Sequence, residues 1–287
     1  MMMKLSKQLK EDFNKCEAII KENSKTFYKA FSMLKAKQDR QAIYAIYAYC
    51  RVVDDAIDEY KDIDLLNSYE AKLMNMIKGN PPTDFIFRSL NEVIKYYYPK
   101  DYDFKPYFDL IEGQRQDFLF IQPITLDDLL KYCYHVAGVV GEMLSYVLAP
   151  KEAIGELKYV ATNLGEAMQI TNILRDIGED RKRNRIYIPK DVMQQFNYTQ
   201  EDLETGVINH GFTQMFEYLA NYAHKKYEIA LEKLHLFKPD ARKPLLLASK
   251  MYEEIIHTIR LNNYDVYNIR SVVSDERKKE IVLSIYK

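Results

Sequence analysis

Apolar residues recur along most of this chain at intervals of three and four, which is the spacing of side chains on one face of an α-helix. No segment alternates apolar and polar residues strictly enough to predict a strand. The periodicity predicts helices over residues 6–22, 38–60, 62–78, 83–98, 105–118, 125–149, 152–180, 190–197, 211–236, 240–263 and 271–285. The pattern therefore indicates an all-α fold.

Breaks between these helices have identifiable causes. The pair Pro81 and Pro82 ends one helix, because a residue that precedes proline is disfavoured in the α region. Thr125 and Asp128 have the spacing of a capping box, which marks a helix start. The same pattern recurs at 199–202, so a second capped start is expected there.

Composition supports one helical domain. Of the 287 residues 47% are apolar, enough for a large core, and only nine Gly and nine Pro interrupt the chain. There is no Gly/Ser linker and no repeat of solenoid length, so we predict a single domain over 1–287. The net charge of −1 gives no reason to expect a nucleic-acid partner.

The cysteines and the hydropathy of the chain indicate the cellular compartment. The three cysteines are widely spaced, which predicts buried free thiols in a reducing compartment. Residues 1–10 lack the apolar core of a signal peptide, and the apolar stretch 136–150 is too short to span a bilayer. We expect a cytoplasmic protein, with room for peripheral membrane contact when an apolar product is released.

Two stripes of oxygen-bearing side chains stand out from this background. Asp54 and Asp58 lie four residues apart, and Asn172, Asp176 and Asp180 follow the same spacing further along. Residues four apart share one helix face, so each stripe points its oxygens in one direction. An isolated acidic pair is usually a solvated face. The second stripe is stronger evidence, because the remaining positions of its helix are mostly apolar.

Such a set of ligands favours a hard cation. Carboxylates crowded into one cavity repel each other, and Mg²⁺ removes that repulsion while keeping ligand positions open for substrate phosphates. The chain has no H-E-x-x-H zinc motif, no P-loop and no G-x-G-x-x-G. Metal-binding acids inside an apolar helical domain fit a substrate with a diphosphate head and a long hydrocarbon tail.

These motifs resemble those of the squalene/phytoene synthases. The segment 54–58, D-D-A-I-D, resembles the first aspartate-rich motif of that family, and 169–180, Q-I-T-N-I-L-R-D-I-G-E-D, resembles the second. Segments 24–27, 132–142 and 185–189 continue a likeness that runs from about residue 20 to 270. Within the family the chain is most similar to bacterial dehydrosqualene synthases.

The resemblance implies an isoprenoid-synthase helical bundle around a central apolar cavity. It implies that two farnesyl diphosphates condense head to head, through presqualene diphosphate, to dehydrosqualene for C30 carotenoid synthesis. Prenyl diphosphates would be the partners and several Mg²⁺ ions the cofactor, whereas NADPH is not expected to be used.

The resemblance also assigns roles to residues. The implied metal ligands are Asp54, Asp58, Asn172, Asp176 and Asp180, with Asp55 in support. The implied catalytic residues are Arg51, Asp54, Asp58, Tyr132 and Asp176. The implied diphosphate or prenyl contacts are Ser24, Lys25, Thr26, Phe27, Tyr47, Arg51, Gln169, Asn172, Arg175, Tyr187, Tyr252 and Arg270. Aromatic faces that could stabilise carbocations are Phe27, Phe31, Tyr132 and Tyr187.

Several alternatives stay open at this point. The enzyme could be a squalene synthase that uses NADPH, or a phytoene synthase that uses geranylgeranyl diphosphate, since segment 112–117 resembles phytoene synthases. A terpene cyclase or head-to-tail elongase would share the paired acidic motifs. A non-enzymatic helical lipid-binding protein would not bind diphosphate with Mg²⁺. The residues that floor the tunnel and the oligomeric state are also left open.

Overall fold

The computed structural model describes residues 6–286, and every regular element in that span is helical, which confirms the expected all-α fold. The first five residues of the polar N-terminal segment and residue 287 lie outside the described residues. The α-helices are α1 (Lys7–Asn23), α2 (Lys25–Phe31), α3 (Lys37–Asp58), α4 (Ile63–Ile77), α5 (Phe85–Tyr97), α6 (Lys105–Phe118), α7 (Leu126–Cys133), α8 (Val139–Leu148), α9 (Ile154–Lys182), α10 (Lys190–Gln195), α11 (Gln200–Thr205), α12 (His210–Glu232), α13 (Pro239–Leu261) and α14 (Asp275–Tyr286).

Two of these helices are too short to have been predicted from periodicity. The first is α2, which begins after Ser24 because the Ser24 hydroxyl accepts a hydrogen bond from the Phe27 amide at 3.4 Å. The second is α11. It starts at the predicted capping box of Thr199 and ends after six residues at Gly206, which adopts a left-handed conformation.

The helix predicted over 125–149 is divided in the structure. Its capping box at Thr125 is confirmed, but a π-helical turn at Tyr134–Gly138 separates α7 from α8. A π turn inserts one residue into the helical repeat, so it changes which side chains face a neighbouring helix. Two other predicted ends also shift, because α12 gives way to a 3₁₀ turn after Glu232 and α14 begins only at Asp275.

Helix α9 is the central element of the bundle. It packs against α8 on one side and against α12 and α13 on others, and it buries apolar residues around most of its circumference. Helix α3 is surrounded by α1, α5, α6 and α8. The predicted free thiols are confirmed, since Cys16, Cys50 and Cys133 are all buried and unpaired with one another. Within residues 6–286, no helix is long and apolar enough to cross a membrane.

Two glycines allow α9 to approach α8 and the π turn before it very closely. A Cβ atom built at Gly165 would lie 2.3 Å from the Ala137 carbonyl oxygen, and one built at Gly141 would lie 2.2 Å from the Ala161 carbonyl oxygen. Both distances are well inside van der Waals contact with backbone, so only glycine fits without a shift of the helices. Gly141 and Gly165 therefore mark the points of closest approach between these two segments.

We predict that Gly165→Ala lowers the free energy of unfolding by about 1–3 kcal/mol, because the new methyl group must push two helix backbones apart. Gly155→Ala is a matched control on the same helix, since its Cβ would meet open space. That variant should be neutral or gain up to about 1 kcal/mol of helix propensity. Urea unfolding followed by circular dichroism measures both, and equal midpoints for the two variants would contradict the close-packing argument.

Candidate active site

Helix α3 presents its predicted polar face near its C-terminal end. Asp54 Oδ1 accepts a hydrogen bond from Gln114 Nε2 at 2.7 Å, and Asp58 Oδ1 accepts one from Arg185 Nη1 at 2.7 Å. Asp55 turns away from this face toward Arg51, whose Nε donates to Asp55 Oδ2 at 3.0 Å. Two of the three aspartates of the first motif thus reach the same side of the helix.

Helix α9 carries the second stripe. Arg175 Nε donates to Asp176 Oδ1 at 2.8 Å, and Arg270 Nε reaches the same carboxylate at 3.1 Å. Asn172 donates weakly to Gln169 at 3.4 Å, but its side-chain oxygen Oδ1 is buried and has no hydrogen-bond partner among residues 6–286. A buried unpartnered acceptor is costly, so this oxygen is suited to a ligand that arrives from outside the protein.

The two stripes face each other across one polar pocket of about 370 Å³. Carboxylates and guanidinium groups alternate around its wall. Of the residues predicted for the site, this pocket is lined by Arg51, Asp54, Asp58, Tyr132, Gln169, Asn172, Arg175, Asp176, Asp180, Tyr187 and Arg270. Residues that are more than a hundred positions apart in sequence therefore meet, as the facing-helix argument predicts.

A second, apolar cavity of about 330 Å³ continues from this pocket into the bundle. The two spaces share Arg51, Asp54, Gln169, Asn172 and Arg175, so the polar pocket opens into the apolar tunnel. Five more predicted residues line the tunnel: Ser24, Phe27, Phe31, Tyr47 and Tyr252. The residues that line the tunnel but not the polar pocket include Leu148, Ala161, Phe237 and Leu245.

Aromatic rings line the tunnel next to the polar pocket. Phe27 stacks on Tyr252 with ring centroids 5.3 Å apart and on Phe31 at 6.0 Å, and its ring meets Tyr47 edge-on at 6.5 Å. Phe27, Phe31, Tyr47 and Tyr252 all line the tunnel, so their rings can contact a bound hydrocarbon chain.

Burial changes the acid strength of the pocket. Burial, reinforced by repulsion from Asp58, holds the pKa of Asp54 well above its usual range. Burial and the neighbouring Asp176 raise the pKa of Asp180 to about 7, and burial raises that of Asp117 to about 6. In the absence of a cation these carboxyls therefore take up protons at a higher pH than an ordinary aspartate, and a bound cation would lower their pKa values again.

Some predicted residues are not brought to either cavity. Lys25 and Thr26 lie in the first turn of α2 and line neither the polar pocket nor the tunnel. Their assigned contacts stay predictions. Within residues 6–286, no three His, Cys, Asp or Glu residues stand close enough to hold a metal ion by themselves.

The sequence prediction assigned no role to several residues of the pocket, among them Gln114, Asp117 and Arg185. Gln114 and Asp117 come from one face of α6, and Arg185 follows α9; all three line the polar pocket. A signal was present for α6, since Gln114 and Asp117 are polar residues three apart on a helix that buries both. Arg185 begins segment 185–189, which continues the family likeness, but the sequence does not show its contact with Asp58, 127 positions earlier.

Comparison with known proteins gives the family. The model of the squalene/phytoene synthase family matches residues 20–278. The chain is 34% identical over 284 residues to a 15-cis-phytoene synthase of Synechococcus elongatus, which spans 94% of this chain and 91% of that protein. It is 33% identical over 284 residues to a 4,4'-diapophytoene synthase of Staphylococcus haemolyticus, which spans 97% of this chain and 98% of that protein.

A solved structure agrees with this assignment over nearly the whole chain. The crystal structure of a dehydrosqualene synthase in complex with ligand superposes with a TM-score of 0.91 at 38% identity, over 97% of this chain and 96% of that chain. The match covers both acidic helices and the tunnel between them. The chain that carries this pocket and tunnel therefore belongs to the squalene/phytoene synthase family, the prenyltransferases that condense prenyl diphosphates head to head.

Proposed function

We propose that this protein condenses two farnesyl diphosphates through presqualene diphosphate to dehydrosqualene, without NADPH. The observation that carries the proposal is the continuity of the two cavities. A pocket of carboxylates and arginines opens directly into an apolar tunnel across Arg51, Asp54, Gln169, Asn172 and Arg175. The diphosphate head of such a substrate matches the polar pocket, and its hydrocarbon tail matches the apolar tunnel.

The pocket suits Mg²⁺ shared with a diphosphate. Its donors are oxygens, the buried Asn172 Oδ1 lacks a partner, and the acids are too dispersed to form a closed cage. Mg²⁺ typically takes one or two carboxylates and completes its shell with water and phosphate oxygens. In this proposal Asp54, Asp58, Asn172 and Asp176 hold the ions, with Asp180 in support. Bound Mg²⁺ supplies neutralisation of the charge that develops on the departing diphosphate.

The arginines supply the rest of the electrostatic stabilisation. Arg51, Arg175 and Arg270 pair with carboxylates when no ligand is bound. When a diphosphate enters, these guanidinium groups can donate to its oxygens, since bidentate contact with phosphate is a strong charge-assisted hydrogen bond. The apolar tunnel then excludes water from the allylic cation that remains. The Phe27, Phe31 and Tyr47 rings stabilise that cation by about 0.5–2 kcal/mol each.

We propose a C15 donor for two reasons: the depth of the tunnel, and the similarity of the chain to a dehydrosqualene synthase. From Asn172 at the polar pocket to Ala161 at the far end α9 runs eleven residues, about 16 Å at 1.5 Å per residue. The similar structure described above is a dehydrosqualene synthase. A phytoene synthase that takes C20 donors is the second candidate, because a phytoene synthase and a diapophytoene synthase are almost equally identical to the chain.

The test of the function is product analysis. We expect the purified protein with farnesyl diphosphate and Mg²⁺ to form a C30 hydrocarbon with a central double bond, and NADPH to leave the product unchanged. Geranylgeranyl diphosphate should be converted more slowly. A C40 product formed faster than the C30 product would favour the phytoene synthase alternative, and the absence of any coupled product from either donor would reject both.

Replacing one carboxylate should abolish turnover without unfolding the bundle. Asp176→Asn keeps the shape of the side chain but removes the charge that pairs with Arg175 and Arg270. We expect product formation to fall by about 10²–10³-fold, with an unchanged circular dichroism spectrum. Asp101→Asn, at an exposed turn outside the site, is the control. Near-normal turnover of Asp176→Asn at saturating Mg²⁺ would contradict the role of this carboxylate.

The far end of the tunnel should set chain length. Leu245 lines the tunnel, whereas Leu247, two positions along α13, is fully buried elsewhere in the core. Each Leu→Ala variant should cost about 2–5 kcal/mol of stability. Only Leu245→Ala lengthens the tunnel, so we expect it to raise the ratio of C40 to C30 product from mixed donors by about tenfold. Equal ratios for Leu245→Ala and Leu247→Ala would show that this residue does not limit the chain.

A further inference from the structure

Asp117 is a buried carboxylate in the wall of the polar pocket. Its side chain is only 5% exposed, and its two oxygens accept hydrogen bonds from two tyrosine hydroxyls. Tyr132 Oη donates to Asp117 Oδ2 at 2.8 Å, and Tyr187 Oη donates to Asp117 Oδ1 at 2.7 Å. Arg185 reaches the backbone carbonyl of Asp117 at 3.3 Å and directs its other donor to Asp58. A carboxylate buried in this way needs a reason beyond stability.

The two tyrosines are held rigidly against each other. Their rings stack with centroids 4.9 Å apart and planes 25° apart, and Phe120 packs edge-on against Tyr187 at 5.2 Å. Tyr132 lines the polar pocket together with Val136, a residue that also lines the tunnel. Tyr132 therefore lines the polar pocket, and Val136, one turn further along, lies at the boundary between this pocket and the tunnel.

The reaction proposed above releases a proton at this boundary. When the double bond of the second substrate attacks the allylic cation, a new bond forms and leaves a tertiary cation. The cyclopropane ring closes when the carbon that has just lost diphosphate gives up one proton, and the C–H electron pair becomes the third ring bond. That carbon lay next to the diphosphate, so its proton is released beside the polar pocket.

We propose, on the basis of the function proposed above, that Asp117 is the positioning residue for this proton transfer and the final acceptor of the proton through Tyr132. Tyr132 Oη takes the proton from carbon while its own hydroxyl proton moves to Asp117 Oδ2. Tyr132 is neutral before and after the step, Asp117 becomes a neutral carboxylic acid, and the positive charge of the carbocation is removed. Tyr187 holds the other oxygen of Asp117 in place.

The acidities of these groups agree with the assignment. Burial, with Asp117 nearby, keeps the pKa of Tyr132 well above its usual range, so Tyr132 cannot hold a negative charge and needs an acceptor behind it. Burial raises the pKa of Asp117 to about 6, although the Tyr187 and Tyr132 hydrogen bonds and Arg185 oppose this rise. The other charged groups that influence Asp117 are Asp54 and Asp58 of α3 and Asp180 of α9.

The test compares Asp117→Asn with Asp109→Asn. Asp109 lies on the same helix and also accepts a tyrosine hydroxyl, that of Tyr134 at 3.5 Å, but it lies outside the pocket. We expect Asp117→Asn to lower the rate of presqualene diphosphate formation by about 10²–10⁴-fold, the usual loss for a proton-transfer group. Asp109→Asn should keep the rate of the wild-type protein, and Asp117→Glu should recover part of it.

Two readouts separate proton transfer from a purely structural role. Asp117 must be ionised to act, so the wild-type rate should fall as pH drops below about 6, and Asp117→Asn should lose this dependence. Farnesyl diphosphate deuterated at its first carbon should give a larger isotope effect with Asp117→Asn, because proton removal becomes slower. Tyr187→Phe removes one hydrogen bond that lowers the pKa of Asp117, so the acid limb should move to higher pH.

The outcomes distinguish this inference from the proposed function. If the wild-type protein couples prenyl diphosphates but Asp117→Asn keeps the wild-type pH profile and isotope effect, Asp117 is structural and only this inference is wrong. If Asp117→Asn fails to fold, an unshifted acid limb in Tyr187→Phe overturns it instead. If the wild-type protein couples no prenyl diphosphate, the proposed function and this inference fail together.

Discussion

The structure depends on how the partly buried carboxylates of the polar pocket are compensated, because this pocket opens into an apolar tunnel. Asp54 and Asp180 have raised pKa values because water is largely excluded from them, and each added carboxylate makes the next more costly. Arginines and a glutamine offset this cost: Gln114 on Asp54, Arg185 on Asp58, and Arg175 with Arg270 on Asp176. Because these partners come from α6, α9 and the segments that follow α9 and α13, the pocket requires the whole bundle to be assembled.

The same pairing prepares the pocket for an exchange of partners. A salt bridge between a carboxylate and a guanidinium can be replaced by two new contacts, one from the carboxylate to a cation and one from the guanidinium to a phosphate oxygen. Such an exchange keeps every charge compensated, which is the condition under which buried ions are tolerated. In the pair of Arg270 and Asp176, Arg270 is about half exposed and has more freedom to move, whereas Asp176 is largely buried.

The sequence predicted the parts of the site that lie on single helices. Asn172, Asp176 and Asp180 share one face of α9, and Asp54 and Asp58 share one face of α3, because ligand spacing on a helix is visible in the sequence. Contacts between distant segments were not visible. Gln114 and Asp54 lie 60 positions apart and Arg185 and Asp58 lie 127 apart, so only the packing of the helices brings them together. The short α2 and the π turn were not predicted for a related reason: neither spans enough residues to show a hydrophobic period.

The arrangement separates the chemistry from the length of the product. The groups that act on diphosphate lie at one end of the tunnel, on α3, α6 and the C-terminal half of α9. Leu148, Phe237 and Leu245 line the tunnel but not the polar pocket, and they lie on or beside other helices. Substitutions there can change the depth of the tunnel while the aspartate motifs stay intact. The motifs therefore identify the family but cannot distinguish a C15 donor from a C20 donor, and the decisive residues are ordinary apolar positions in the core.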